Sequence, residues 1–336
     1  MSRPNSNVPR RSLLVTALAA AFLPAPALAK PYLPPAGKVF QGVAGQPISS
    51  YQKAVGKHPA VYQEFIAWGQ YLPAITHDAS AAHARLMIHI TTAFGSREAI
   101  TPGGIAAGKG DSWLVGLNRA ISASGLVTYV RLMAEMDAYW NPYGAFNADG
   151  SHRDANHASA AYRRAWKRVT LIMRGGSLRA IDATLKRLGM PALQASSDLP
   201  TPKVALVWCP QVAGAPDIAG NQPSNYWPGS RWVDWVATDF YSNAPNFSGL
   251  DTLYAAYSSK PFAFGEYALW GADDPGWVDQ LFSWVGSHRR TQMLIYNQGI
   301  NPNGPFRLSR YPNASAALRH QLASSRFPAF APELKP

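Results

Sequence analysis

The chain alternates short, nearly unbroken apolar runs with longer segments whose apolar residues recur every three or four positions. Eight of the short runs read as strands: Lys38–Val43, Ala60–Phe65, Ala84–Ile90, Leu126–Leu132, Val204–Trp208, Trp235–Tyr241, Phe262–Glu266 and Gln292–Tyr296. Most lack the apolar–polar alternation of a half-exposed strand, as expected of strands covered on both faces. Between them the spacing predicts helices. Asp111 suits the N-cap of one that reaches Ser122. In His157–Met173, Ala161, Ala165, Val169 and Ile172 mark an apolar face, while Arg163, Arg164, Lys167 and Arg168 fall where a solvated face is expected. Gly176–Leu188 closes at Gly189 and Pro191. Leu250–Ser258, Trp277–His288 and Ser315–Ser324 complete the set, and no internal repeat is visible.

Eight strands alternating with helices in one chain predict a (β/α)8 TIM barrel. A doubly wound sheet would want a glycine-rich phosphate loop after the first strand, and Gly42–Gly45 has the wrong spacing for one. The barrel is expected over residues 38–326, preceded by a Pro-rich linker at 30–37 and followed by an irregular tail at 327–336. Ahead of it, residues 1–29 read as a signal peptide. Arg10 and Arg11 precede an apolar stretch, Leu13 to Leu23, that is too short to span a bilayer, and Ala27-Leu28-Ala29 offers a cleavage site. PRRSLL resembles a twin-arginine export signal, with Leu13 where that motif favours Phe. A secreted or envelope-associated protein with no membrane insertion after cleavage is expected.

Composition narrows the class. The formal charge is +12, and cleavage would remove Arg3, Arg10 and Arg11 with no acid. The remaining cations are scattered rather than run together, so a solvated surface is expected and no nucleic-acid partner. Cys209 is the single cysteine, which excludes an intrachain disulfide and cysteine-rich zinc sites. His152 and His157 stand five apart in a polar loop and read as solvent-facing. No metal and no cofactor are expected. Eleven tryptophans and 12% aromatic residues imply either a heavy core or a surface for flat apolar ligands, among which are the faces of sugars.

In a (β/α)8 barrel the reactive groups stand at the C-terminal ends of the strands. The fourth run leads into Glu135, the seventh ends at Glu266, the sixth at Asp239-Phe240-Tyr241, the fifth at Trp208 and the eighth at Tyr296-Asn297. Two carboxylates on facing strand ends are the minimum for glycoside hydrolysis, one protonating the leaving oxygen and the other attacking carbon or activating water. The plainer alternative for Glu135 is an ion pair with Arg131. Asp239 reads as structural, bonded to backbone near the rim.

Several motifs in order resemble glycoside hydrolase family 26, a β-mannanase-type family of the retaining (β/α)8 clan. IAAGKGDSWLVGLNRAI (105–121) resembles its helix entry after strand three, and RLMAEMDAYW (131–140) its Arg-x-x-His-Glu-Met-Asn-Gly-x-Trp signature. WCPQ (208–211), YWPGSRWVDWVATDFY (226–241) and KPFAFGEYALW (260–270) follow the family's later stretches. The resemblance implies Glu135 as general acid/base and Glu266 as nucleophile, hydrogen-bonded by Tyr241. Arg131, supporting the floor, would join Trp140, Trp208, Tyr241, Trp270 and Tyr296 as the substrate-binding groups. Ala134 stands where the family has His, Asp137-Ala138 replaces Asn-Gly, and Gln211 replaces Asn. His89 is read as a satisfied core or rim histidine rather than a substitute for that imidazole.

The expected function is a secreted, monomeric, retaining hydrolase of a β-linked polysaccharide, first β-1,4-mannan. β-Glucan, β-xylan, an envelope polysaccharide, or a retired barrel that only binds glycans are the alternatives.

Overall fold

The structure is a computed structural model and describes residues 31–45, 47–94 and 97–335. The signal segment read at 1–29 lies outside the described residues. Numbering the barrel strands alone, the chain forms Phe40–Ala44 (β1), Val61–Ala67 (β2), Arg85–Thr91 (β3), Thr128–Leu132 (β4), Val204–Trp208 (β5), Trp235–Tyr241 (β6), Phe262–Ala268 (β7) and Thr291–Asn297 (β8). All pair in parallel with their sequence neighbours, and β1 pairs with β8, so the sheet closes into a barrel. All eight expected strands are present within a few residues of their predicted bounds.

The unbroken apolar runs follow from two shells of packing. Phe40, Met87, Val207, Ala237, Met293 and Ile295 point inward and fill the barrel. Leu86, Leu206, Val236 and Phe264 point outward against helices such as Asp111–Ser124, Ser159–Arg174 and Pro275–Ser287. Every β5 and β7 residue is buried, so neither face of these strands needs polar residues.

Several elements differ from the sequence reading. The helix Ile48–Val55 buries only Tyr51 and Val55, too few positions to show a period. A hairpin of Ala93–Phe94 and Arg97–Glu98 and a short helix, Pro102–Ala106, fill the β3-to-β4 connection. Asp111 is not an N-cap: Gly110 holds that place, and Asp111 is buried in the first turn. There it takes Arg168 Nε at 2.7 Å and Nη2 at 2.5 Å, so Arg168 is a fully buried ion-pair partner rather than part of a solvated face. The stretch read as a linker and the tail both close the N-terminal mouth of the barrel. Tyr32 O accepts from Arg85 Nη1 at 2.6 Å and from Tyr129 Oη at 2.7 Å, and Pro31 O from Trp235 Nε1 at 2.6 Å. Glu333, in the short turn Pro332–Leu334, pairs with Arg85 at 2.7 Å.

One irregularity positions chemistry. Thr238 in β6 pairs with Phe264 and the next residue, Asp239, with Glu266, so β7 carries one extra residue at Gly265. The pairing with β8 slips over the same stretch. Phe264 faces outward, and strict alternation would turn Glu266 outward too; the bulge resets the parity and brings Glu266 inside. Only glycine fits at the bulge, because a Cβ there would lie 2.8 Å from Arg131 Cζ and Nε. Gly265→Ala is therefore expected to lower the unfolding free energy by about 1–3 kcal/mol through overpacking, read by urea denaturation. A midpoint equal to the parent chain's would refute the crowding.

Candidate active site

The C-terminal mouth of the barrel holds a cavity of about 510 Å³ whose lining includes Phe65, His89, Glu135, Trp140, Gln211, Asp239, Tyr241, Glu266, Trp270 and Phe306. Glu135 lies three residues beyond β4 on a tightly turned loop. Met133 and Glu135 both have positive φ, 48° and 52°, in the region that costs side-chain-bearing residues energy. Strand-like bonds hold the turn in place. Met133 N donates to Ile90 O at 2.8 Å and Glu135 N to Cys209 O at 2.7 Å, while Asn141 Nδ2 donates to Glu135 O at 2.9 Å.

The Glu135 carboxyl accepts Gln211 Nε2 on Oε1 at 2.5 Å and Trp140 Nε1 on Oε2 at 2.9 Å. It makes no ion pair with Arg131, contrary to the plainer sequence reading. Burial raises its pKa, and the negative charge of Glu266 adds to the rise.

Glu266 has the opposite surroundings. Its Oε1 takes Arg131 Nη1 at 2.9 Å, and its Oε2 takes Tyr241 Oη at 2.6 Å and Asn297 Nδ2 at 2.8 Å. Burial is the largest influence and would push this carboxyl up, but the Arg131 charge and the hydrogen bonds the carboxylate accepts together outweigh it and bring the pKa down to about 2. The two acids in one cavity are thus driven apart: one is favoured as acid, the other as anion.

Arg131 is wholly buried beneath the cavity. Besides Glu266 it meets both Asp239 oxygens at 2.7 Å through Nη2, and Gln63 Oε1 at 2.8 Å through Nη1. It lies under the floor and does not line the cavity, which corrects its place among substrate-binding residues. Asp239 lines the cavity and bonds this guanidinium, not backbone as the sequence suggested. Burial, with the charges of Glu266 and Glu135, pushes Asp239 upward against the pull of Arg131. One cation is shared by two carboxylates, and the cluster titrates as a unit.

The other sequence candidates divide. Trp140 and Trp270 are 52% and 43% exposed and form cavity walls, and Tyr241 packs against both Trp270 and Phe306. Trp208 does not reach the cavity; it is buried in the outer shell against Trp227 and Tyr257, at 4.9 and 5.0 Å between ring centres. Tyr296 likewise points outward, its hydroxyl donating to Phe306 O at 2.9 Å, and its neighbour Asn297 faces Glu266 instead. His89 is not a satisfied histidine. Neither ring nitrogen has a hydrogen-bond partner, and Nδ1 stands 3.7 Å from Glu266 Oε1 at the edge of the cavity. Burial lowers its pKa, so the ring is neutral near pH 7. His157 is not solvent-facing either: it bridges Glu98 and Asp154, each at 2.8 Å. Sequence reasoning gave no role to Gln63, Phe65, Gln211, Asn297 and Phe306.

No known protein-family model matches the sequence, and no curated protein matches it. Solved structures do share its fold. Bacillus subtilis mannanase man26 is 17% identical, over 89% of this chain and 89% of its own, with a TM-score of 0.59. The GH26 domain of an endo-beta-mannanase/endo-beta-glucanase from Prevotella bryantii is 13% identical, over 88% and 91%, at a TM-score of 0.55. A beta-mannanase from a symbiotic protist of the termite Reticulitermes speratus, complexed with gluco-manno-oligosaccharide, is 11% identical, over 89% and 90%, at 0.55.

The shared cation gives a signed prediction. In the parent chain Glu266, with its lowered pKa, adds stability above its unfolded pKa and loses it as pH falls toward 2. Arg131→Met leaves Glu266 and Asp239 buried without a cation, so their folded pKa values rise above the unfolded ones. The variant is expected to lose about 3–5 kcal/mol at pH 7 and to recover part of it at pH 5, where the folded state takes up protons. Urea denaturation at both values tests this; an equal deficit at each would contradict it.

Proposed function

We propose that the chain is an exported, retaining glycoside hydrolase of the family 26 type, acting on a β-linked polysaccharide of neutral hexoses, with β-1,4-mannan first. The observation that carries this reading is the opposed pair in one cavity. Glu135, raised by burial and by its neighbour's charge, is fit to hold a proton for the leaving oxygen. Glu266, held ionised by Arg131, is fit to attack the anomeric carbon. Glu135 would then deprotonate the water that releases the sugar, and net retention would follow from two inversions. Solved structures of the same fold are named mannanases, which puts mannan first among the polymers to test.

Charge and shape narrow the substrate. The cavity lining includes Glu135, Asp239 and Glu266 and no Lys or Arg. A uronate or phosphorylated sugar at the cleavage point would meet like charge, so a neutral sugar fits better than an acidic envelope glycan. Most of the exposed large apolar side chains, Phe65, Tyr71, Tyr139, Trp140, Trp270 and Ile300, stand at or just beyond the C-terminal strand ends. A rim of this kind suits a glycan chain longer than the cavity. Ala134, where the family signature has His, is buried in the barrel interior and does not line the cavity. Its small side chain takes nothing from the partners of either carboxylate, which argues against a retired, purely binding barrel.

The test is incubation with mannan, β-glucan, xylan and a bacterial envelope glycan, with products read by mass spectrometry. Glu135→Gln and Glu266→Gln are each expected to lower turnover of the cleaved polymer by about 10²–10⁴-fold or more. Undiminished turnover in either variant would overturn the role assignment. Binding to one polymer with no product from any would make the barrel a glycan-binding protein.

A further inference from the structure

Gln211 follows β5 at the cavity edge, and both of its ends are fixed. Its backbone N–H donates to Asp137 Oδ1 at 2.9 Å, and two residues earlier Cys209 O takes the Glu135 N–H at 2.7 Å. Its amide Nε2 reaches Glu135 Oε1 at 2.5 Å, shorter than the Trp140 bond to Oε2 at 2.9 Å. A carboxyl that gives and takes a proton in one turnover must present the same oxygen to the substrate both times. Amide and indole N–H groups both only donate, so each oxygen accepts one bond. The shorter one comes from Gln211, fixed through its backbone, and the longer one from Trp140, which is 52% exposed. Oε1 is therefore the oxygen held as acceptor and Oε2 the one free to carry the proton.

We propose that Gln211 is the positioning residue of the acid/base, pinning Glu135 Oε1 as an acceptor so that Oε2 is the atom that gives and takes the proton. This rests on the hydrolase reading of Glu135. In the first half-reaction Oε2–H passes its proton to the glycosidic oxygen as the C1–O bond breaks and a Glu266 oxygen bonds C1. In the second, Oε2 takes a proton from water as the water oxygen bonds C1 and the Glu266–C1 bond breaks. Oε1 remains bound to the Gln211 N–H throughout. Gln211 stands where the family pattern has an Asn, one methylene shorter.

The test is Gln211→Met, which keeps the volume and removes the donor. Loss of an N–H that favours the anion moves the Glu135 pKa upward, by about one pH unit. The other charged and titratable groups facing Glu135 stay in place: Arg131 from β4, Asp239 and Tyr241 from β6, Glu266 from β7, and Asp137 and Tyr143 from its own loop. A ¹³C-glutamate titration of the substrate-free chain, assigned with Glu135→Gln, reads that shift without any turnover. On oligosaccharide substrate, kcat is expected to fall about tenfold or more with KM within twofold, and the alkaline limb of kcat/KM to move up. With a dinitrophenyl glycoside, whose leaving group needs no proton, the burst should persist while steady turnover slows, because release of the sugar still needs the base. If Gln211→Met does not fold, Gln211→Asn, whose amide falls short of Oε1, gives the same readings. An unmoved Glu135 titration, or a raised KM at unchanged kcat, would sink the proposal. A parent chain that cleaves nothing while the titration still shifts would sink the hydrolase reading instead.

Discussion

A guanidinium with no exposure to solvent lies under the cavity, and the arrangement of the mouth follows from it. Arg131 holds Glu266 through one nitrogen and Asp239 through the other, with Gln63 filling a further acceptor position. A buried cation is costly unless its charge and its donors are met; the carboxylates meet the charge and both terminal nitrogens, while Nε is left without a partner. The shape of β7 answers the same demand. Gly265 leaves room for the guanidinium, and the bulge it forms turns Glu266 toward the cation instead of the helix layer. One cation between two acids also leaves a surplus of negative charge. Glu266, with the most donors, takes the anionic share, and the rest raises Asp239 and Glu135.

Glu135 owes its character to a different device. It stands on a loop whose positive φ angles at residues 133 and 135 point successive side chains in directions a strand would not allow. The strain is tolerated because main-chain bonds to β3 and to Cys209 continue the sheet past the last residue of β4. Tyr143 Oη closes the loop on Ala134 O at 2.7 Å. The acid is therefore presented by an extension of the barrel itself, a more rigid support than a free loop. Two carboxylates of the same chemistry acquire opposite protonation because one faces apolar burial and a neighbouring anion, and the other a cation.

Much of this was legible in the sequence, and the reasons for the gaps are specific. Eight strands and both carboxylates could be read because each long apolar run ends abruptly in polar or aromatic residues. Which of two adjacent residues faces inward could not be read, because a strand buried on both faces has no alternation to betray it. Trp208 and Tyr296 were chosen over Cys209 and Asn297 for that reason, yet Cys209 touches Arg131 at 3.3 Å and Asn297 holds Glu266. The inward set at the upper end of the barrel, Gln63, His89, Arg131, Asp239 and Asn297, comes from five strands far apart in the chain. Only closure of the barrel brings it together. Arg168 failed in the other direction: its place on a basic helix face looked solvated, and a single acid fifty-seven positions away in sequence buries it.

Part of the positive charge has work to do within the fold. Arginines recur as caps on main-chain carbonyls at loop turns. Arg164 donates to Leu188 O and Gly189 O, and Arg290 to Tyr254 O and Lys260 O. Arg153 donates to Asn141 O at 2.7 Å and to Tyr139 O and Pro142 O at 2.5 Å. A guanidinium has five donors and no acceptor, so one side chain can satisfy several carbonyls that a tight turn leaves without partners. With a single cysteine the chain has no disulfide to fasten its loops. Arg153 supplies that fastening for the loop that carries Tyr139 and Trp140, and Trp140 in turn bonds Glu135. One of the cations that make the chain basic thus holds the rim of a cavity whose own lining is acidic, and the net charge of the molecule is a poor guide to the sign of its site.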